Sequence, residues 1–203
     1  MFTGIVAALG QIESVTPLGD DTHGVRLSIA AGQLDLSDVS PGDSIAVQGA
    51  CMTVVRLAEQ TFEVDVSRES LEKTVGLDST GLVNLEKAMR LSDRIGGHLV
   101  SGHVDGLGVV TRFELRGESW LLQVLSPGVL GHYLAYKGSV TINGVSLTVN
   151  SVSDADAGTT IEMNLIPHTV EVTTLKTLSV DDRVNLEIDL IARYVERMAA
   201  ART

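Results

Sequence analysis

The chain is poor in cysteine: Cys51 is the single thiol among 203 residues. No intrachain disulfide can form, and no thiolate cluster can hold a metal. It is also poor in basic residues. Lys and Arg number 15 against 26 for Asp and Glu, a net charge of −11. Such a surface repels phosphate backbones and anionic lipid, which argues against nucleic acid or a membrane as partner and leaves room for a local basic pocket. No apolar run reaches the roughly 18 residues of a membrane span. The opening MFTGIVAALG has no positive region ahead of its apolar residues. A secretory signal is therefore not expected, and a soluble cytoplasmic protein is. Familiar catalytic signatures are missing as well: no GxxxxGK(S/T) loop, no HExxH, no GxSxG elbow and no strand–GxGxxG–helix unit.

Aromatic residues make up only 3% of the chain, whereas glycine numbers 20. Set among Val, Thr and Ser, that glycine points to short strands and tight turns. Apolar residues at 44% and charged residues at 20% mark a globular chain. Its length suits one large domain or two of about 100 residues.

The sequence repeats itself once. GDSIAVQGACMTV (Gly42 to Val54) lies beside KGSVTINGVSLTV (Lys137 to Val149) at an offset of 95. FEVDVSRESLEKT (Phe62 to Thr74) lies beside IEMNLIPHTVEVT (Ile161 to Thr173) at an offset of 99. VNLE (Val83 to Glu86) recurs as VNLE (Val184 to Glu187), and TGIV (Thr3 to Val6) as SGHV (Ser101 to Val104). Collinear matches with small indels between them mean a duplicated domain, with the seam near Ile95-Gly96-Gly97. Each half must close its own core.

Within a half the text alternates with a period of two. Ile45 and Val47 interleave with Ser44, Ala46 and Gln48; Phe62, Val64 and Val66 interleave with Glu63 and Asp65. Leu121 to Leu125 and Val140 to Val149 read likewise. Pro41-Gly42, Asn143-Gly144 and Asp105-Gly106 are turn signals. Short antiparallel strands so spaced suggest a small barrel, which removes exposed edges. Short helices are expected over Arg68 to Thr74 and from an N-cap at Ser126-Pro127 to about Tyr136. A last helix, about Leu190 to Ala201, carries Leu190, Ile191, Tyr194, Val195 and Met198 on one stripe. That stripe can pack on its own barrel or on other copies of the chain; the pattern leaves both open.

His98, His103 and Asp105 could be read as metal ligands. On a strand, however, residues five apart point to opposite faces, so no metal site is expected. The informative positions are those where the repeat breaks its symmetry. Cys51 becomes Ser146, Ile5 becomes His103, Gly42 becomes Lys137 and Glu69 becomes His168, while Gly49/Gly144 and Thr53/Thr148 persist. Two pockets of one shape with different polar groups would follow if each binds the same ligand in a different role. Drift after duplication would leave the same trace.

MFTGIV at Met1 to Val6, GGHLVSGH at Gly96 to His103, NGVSLTVN at Asn143 to Asn150 and IPHTVEVTTL at Ile166 to Leu175 together resemble the riboflavin synthase family, over Met1 to about Arg197. The resemblance implies an all-β fold of two tandem six-stranded antiparallel Greek-key barrels, with short helices and a C-terminal helix. Residues 1–97 would form the first lumazine-binding barrel, 98–188 the second, and 189–203 a trimerisation helix. It implies a transferase that dismutates two molecules of 6,7-dimethyl-8-ribityllumazine to riboflavin and 5-amino-6-ribitylaminouracil, with no metal or organic cofactor. The implied assembly is a homotrimer in which the first barrel of one copy faces the second barrel of the next. Lumazine synthase, the source of the substrate, is an implied candidate partner.

By the same resemblance, the ligand-binding residues of the first barrel are Gly4, Ile5 and Val6; Cys51, Met52 and Thr53; and Val66, Ser67, Arg68, Glu69, Ser70 and Leu71. Those of the second are Gly102, His103 and Val104; Lys137; Ser146, Leu147 and Thr148; and Leu165, Ile166, Pro167, His168, Thr169 and Val170. Phe2, Ser44 and Asp189 also fall near the ligands. His103, Ser146, Cys51, Thr148 and Ser44 are the candidate catalytic residues. Ala50 and His168 depart from the family, some members of which carry a second cysteine and a glutamate there. The lumazine C7 methyl is acidic because its anion delocalises into the ring, so donors near Thr53 and Thr148 would stabilise it. His103 would move protons, and Ser146 and Cys51 would position water. Two readings stay beside this one. Lumazine proteins share the fold and hold a lumazine or flavin as a light-emitting antenna without catalysis, typically without the second half's pocket residues. Flavin reductases use a barrel of related shape but need a nicotinamide domain.

Overall fold

The computed structural model describes residues 1–20 and 23–201. Alternating apolar residues, short runs and frequent turns fold as the sequence predicts, into two closed antiparallel barrels. The first uses β1 (Ala8–Pro17), β2 (Val25–Ala30), β3 (Ser44–Val47), β4 (Ala50–Leu57), β5 (Thr61–Val66) and β6 (Gly81–Lys87), in the order β1-β2-β5-β4-β3-β6. The second uses β7 (Gly106–Arg116), β8 (Ser119–Ser126), β9 (Ser139–Ile142), β10 (Val145–Ala155), β11 (Gly158–Leu165) and β12 (Arg183–Ile188). Its order, β10-β11-β8-β7-β12-β9, is the same circuit entered at another strand.

The duplication extends to irregularities. β1 bulges against β2 between Ile12 and Ser14, and β7 bulges against β8 at the equivalent Val110 to Arg112. β4 bulges against β5 between Val54 and Arg56, and β10 against β11 between Val149 and Ser151. A bulge bends and twists its strand, which is what closing so small a barrel requires. Each barrel then fills its own interior: Ile12, Leu27, Ile29, Phe62 and Leu85 in the first, Val110, Leu122, Ile142, Ile161 and Met163 in the second.

The barrels meet about a pseudo-twofold axis. β3 turns into β4 at Gln48-Gly49, with φ of 51° and 88°, and β9 into β10 at Asn143-Gly144, with φ of 51° and 80°. Two-residue hairpins with two left-handed residues match the twist of their strands. The tips touch: a Cβ on Gly49 would stand 2.6 Å from the Gly144 amide nitrogen. That contact accounts for the glycine kept in both halves without any appeal to a ligand. Asn84 and Asn185 bolt the tips reciprocally. The Asn84 side-chain amide donates to the Asn143 carbonyl, and that of Asn185 to the Gln48 carbonyl, each at 2.9 Å.

The first and last helices follow the sequence reading, the middle one is not expected from it, and one expected helix is replaced. α1 (Arg68–Lys73) has Ser67 as its N-cap, α2 (Pro167–Glu171) carries its proline in the first turn, and α3 (Leu190–Ala200) is capped by Asp189. Between β8 and β9, where a helix from Ser126 to about Tyr136 is expected, stands a 3-10 turn over Gly128–Tyr133. Its N-cap is Pro127, with no side-chain cap bond. Two glycines, Gly128 and Gly131, weaken the helix there, and a Cβ at Gly131 would lie 2.1 Å from the Thr159 hydroxyl oxygen. No described helix is long and apolar enough to cross a membrane.

Candidate active site

Outward residues on equivalent strands make two equivalent surfaces. Residues directly opposite across an antiparallel pair share a face. On the first barrel Ser44 lies opposite Thr53, Ala46 opposite Cys51, and Ala46 also opposite Glu86. On the second, Ser139 lies opposite Thr148, Thr141 opposite Ser146, and Thr141 also opposite Glu187. The intervening Met52 and Leu147 point into the cores, as do Val66, Leu165 and Val170. These five, with the wholly buried Phe2, can offer a ligand backbone groups only.

Each surface is completed by the segment that leads a half. The Glu86 carboxylate accepts from the Thr3 amide at 2.7 Å, the Thr3 hydroxyl at 2.7 Å and the Gly4 amide at 3.0 Å. The Glu187 carboxylate accepts from the Ser101 amide at 2.7 Å, the Ser101 hydroxyl at 2.6 Å and the Gly102 amide at 3.0 Å. Burial pushes both carboxyls above the ordinary glutamate range, against the downward pull of these donors. Phe2 and Val100 then exchange backbone bonds of 2.7 and 3.0 Å, tying the two leading segments together.

Those segments also bridge to the opposite barrel. The Ser146 amide of β10 donates to the Gly4 carbonyl, and the Cys51 amide of β4 to the Gly102 carbonyl, both at 2.7 Å. Val6 accordingly packs on the second core and Val104 on the first. The sequence reading grouped Gly4 to Val6 with the first barrel and Gly102 to Val104 with the second. The hydrogen bonds tie each segment to both barrels: the Gly4 amide is held by Glu86 and its carbonyl by Ser146, the Gly102 amide by Glu187 and its carbonyl by Cys51, so His103 follows a residue bonded to Cys51. Glycine is required at both crossings: φ is +74° at Gly4 and +78° at Gly102, and an added Cβ would lie 2.6 Å from the Ser146 Cβ or 2.8 Å from the Cys51 Cβ.

The first surface therefore gathers Cys51 and Thr53 with Gly102 to Val104. Beside β4, β5 runs on into Ser67, whose hydroxyl accepts from the Ser70 amide at 3.1 Å. Arg68 and Glu69 are turned along α1 into pairs with Glu72 and Lys73, and Leu71 packs on the first core. The second surface gathers Ser146 and Thr148 with Gly4 to Val6. β11 runs on into exposed Ile166, Pro167 and His168 and half-buried Thr169. Lys137 holds φ at +63°, where its counterpart is glycine. Its amide donates to the Val149 carbonyl at 2.7 Å, and its ammonium reaches Asn150 at 2.8 Å. A non-glycine residue held in that region is strained, and such strain concentrates at functional sites.

Ser44 and Ile5 also line an open cavity of about 750 Å³ on the β3–β6 flank, with Thr3, Glu86, Lys87 and Arg90. Asp189 accepts from the Ile191 amide at 2.9 Å and so caps α3. Asp105, read with two histidines as a possible ligand, instead pairs with Arg193 and accepts from the Ile188 amide. His98 is near Ser146 and His103 follows Gly102 beside Cys51, so they are divided between barrels by a non-strand segment rather than by strand alternation. Among the described residues no cluster of three or more His, Cys, Asp or Glu side chains is placed to hold a metal ion.

Sequence reasoning passed over Glu86 and Glu187, and weighed His98 only as a metal ligand. For the two glutamates a signal existed: VNLE is identical in both halves, and buried polar groups are what such identity on a strand can preserve.

A family model described as "Lumazine binding domain" matches residues 3–88 and 101–189. Each matched stretch opens on a leading segment and ends just past the strand that grips it. A riboflavin synthase of Photobacterium phosphoreum is 43% identical over 200 residues, covering 98% of this chain and 88% of that protein. One of Mycobacterium bovis is 42% identical over 202 residues, covering 98% of both.

The chain belongs to the riboflavin synthase family.

A Bacillus subtilis riboflavin synthase is 40% identical over 97% of this chain and 89% of its own length. Among solved structures, LumP complexed with riboflavin superposes with a TM-score of 0.80 at 26% identity, covering 93% of this chain and 99% of LumP. LumP complexed with 6,7-dimethyl-8-(1'-D-ribityl)lumazine superposes with a TM-score of 0.78 at 25% identity, covering 92% and 98%. The two barrels are thus the two lumazine-binding repeats of a riboflavin synthase, and the surfaces just described lie on equivalent strands of each.

Proposed function

We propose that the protein binds two molecules of 6,7-dimethyl-8-ribityllumazine and passes a four-carbon unit from one to the other. The products are riboflavin and 5-amino-6-ribitylaminouracil. One molecule loses the two ring carbons and two methyls that the other gains, so atoms balance and no net oxidation occurs. One observation carries the reading beyond family membership: the same frame is built twice and furnished differently. Cys51, Thr53 and His103 attend the first surface, Ser146, Thr148 and Lys137 the second.

Identical ligands in matching frames, met by different polar groups, suit an exchange between unlike roles. The Lys137 ammonium and the hydroxyls of Ser146 and Thr148 give the second surface the positive field that favours the anion of the C7 methyl. His103, exposed beside Cys51, suits proton movement at the first. Stacking two large rings in register supplies further rate, roughly 7–11 kcal/mol where orientation is good.

The reacting pair forms between copies, the first barrel of one against the second barrel of the next, in a homotrimer. α3 supports this. Ile191, Tyr194 and Val195 are each 61% exposed and Met198 62%, an apolar stripe that packs on neither barrel of its own chain. The same reading puts the protein in the cytoplasm, with lumazine synthase as its source of substrate.

Incubating purified protein with ribityllumazine tests this directly. Riboflavin absorbance should grow with equimolar pyrimidine product, and light scattering should give three times the chain mass. Tight binding without turnover would favour the second reading, a lumazine- or flavin-holding antenna, which the likeness to LumP keeps in view.

A further inference from the structure

His98 sits half-buried where the link between barrels crosses β10. Its backbone amide donates to the Thr3 carbonyl at 3.1 Å. The chain is pressed close there: a Cβ on the preceding Gly97 would lie 2.7 Å from the Ser146 hydroxyl oxygen and 2.2 Å from the Thr3 carbonyl. The ring is directed at the same hydroxyl, with Nδ1 2.7 Å from Ser146 Oγ. Its other nitrogen, Nε2, is shut away from solvent without a hydrogen-bond partner. Nothing comparable attends the first surface, where no histidine bonds the Cys51 thiol among the described residues.

The unpartnered nitrogen decides the polarity of the pair. Burial holds the imidazole below its ordinary pKa against the opposing charge of Asp189, so near neutral pH the ring carries one proton. On Nε2 that proton would be a buried donor with nothing to accept it. On Nδ1 it bonds Ser146, and Nε2 is left as a bare lone pair, the lesser loss. Ser146 Oγ then accepts from His98, and its own proton must point elsewhere. Its backbone cannot turn away, because the Ser146 amide is bound to the Gly4 carbonyl.

Resting on the reading of this surface as a lumazine site, we infer that His98 is a positioning residue that fixes the Ser146 hydroxyl as a hydrogen-bond donor toward the ligand on the second barrel. The group it serves is a carbonyl oxygen or ring nitrogen that gains negative charge when a proton leaves the C7 methyl.

Three measurements test this. In wild-type protein labelled with 15N-histidine, Nδ1 of His98 should resonate as a protonated, pyrrole-type nitrogen and Nε2 as a bare, pyridine-type one; the reverse overturns the inference. His98→Leu and Ser146→Ala should each lower kcat about tenfold, and the double variant should be no slower than the worse single one, because both remove one interaction. Independent, multiplying losses would mean that His98 acts only by packing, and so would an unchanged kcat in His98→Leu. His98→Asn, which returns an amide donor close to the place of Nδ1, should recover to within about threefold of wild type. It also keeps the test open should the leucine variant fail to fold. Riboflavin affinity, read by fluorescence quenching, should weaken in His98→Leu and Ser146→Ala alike and be spared in His98→Asn. That last arm needs no turnover. If wild type binds riboflavin but makes none, the proposed reaction fails while the role of His98 is still decided.

Discussion

Glu86 grips Thr3 and Gly4 in the first half as Glu187 grips Ser101 and Gly102 in the second, bond for bond. Asn84 and Asn185 bolt the hairpin tips with equal fidelity. Beside these twins, equivalent outward positions differ: Cys51 and Ser146, Ile5 and His103, Gly42 and Lys137, Glu69 and His168. The contrast separates two kinds of constraint. A buried backbone donor left without its acceptor costs the whole of its lost solvation, so the carboxylates and amides are held. An outward side chain answers to whatever lies in front of it and can change after duplication.

The largest effect should come from breaking the shared part. Glu86→Ala and Glu187→Ala each strand two backbone amides and a hydroxyl, and each should lower the free energy of unfolding by about 3 kcal/mol in urea titrations. Near-equal losses would uphold the equivalence of the halves; a loss in one half alone would break it. Acidity gives a sharper form. Both folded carboxyls hold their protons more tightly than the unfolded chain, whose value is near 4.5. Stability contributed by that proton is full below the unfolded value and is lost as pH rises through the folded one. Glu86→Gln and Glu187→Gln should abolish this slope, at most about 1.4 kcal/mol per pH unit for each group. The advantage of wild type over either variant should therefore shrink as pH rises above the unfolded value near 4.5; a growing advantage would mean the carboxyls are lowered instead.

Smaller effects test the part that differs. Ser146→Cys puts the first half's group into the second, and a thiol is a poor donor. Turnover should fall about tenfold, whereas the reciprocal Cys51→Ser should cost no more than about threefold. Equal losses would mean that the two surfaces do the same work. Full activity in both would make the difference drift.

Much of this molecule is legible in its sequence because repeats and period-two alternation are local facts. Phe62, Val64 and Val66 declare an inward face, and Asn143-Gly144 declares a hairpin. Its twin Gln48-Gly49 does not, since glutamine rarely takes positive φ; here its side-chain carbonyl accepts from the Asn84 amide at 3.0 Å, a partner in a strand far along the chain. The bridging by the leading segments is hidden for the same reason. Gly4 belongs by number to one half and is hydrogen-bonded to both, its amide to Glu86 and its carbonyl to Ser146, and only the folded chain brings Ser146 to it. Family resemblance offered candidate residues barrel by barrel, whereas the bonds from Gly4 to Ser146 and from Gly102 to Cys51 run between barrels.

The smallest effect isolates strain. Lys137 and Gly42 donate the same bond, to Val149 and Val54 at 2.7 and 2.8 Å, and both lie at positive φ. Only glycine does so without cost. Lys137→Gly relieves about 1–2 kcal/mol of left-handed strain and gives back about 0.4–1 kcal/mol through the freer unfolded chain. The variant should be more stable by about 0.5 kcal/mol while its turnover falls. The reciprocal Gly42→Ala should cost about 1 kcal/mol through conformation alone, since an added Cβ there meets nothing within 4 Å. Thermal melting beside an activity assay reads both quantities in one preparation. If Lys137→Gly loses stability, the lysine is held by its contacts with Asn150 and Tyr136, and the strain at that turn is no sign of a site. If it gains stability and loses rate, the second half has kept an unfavourable backbone for the sake of an ammonium group that the first half does not need.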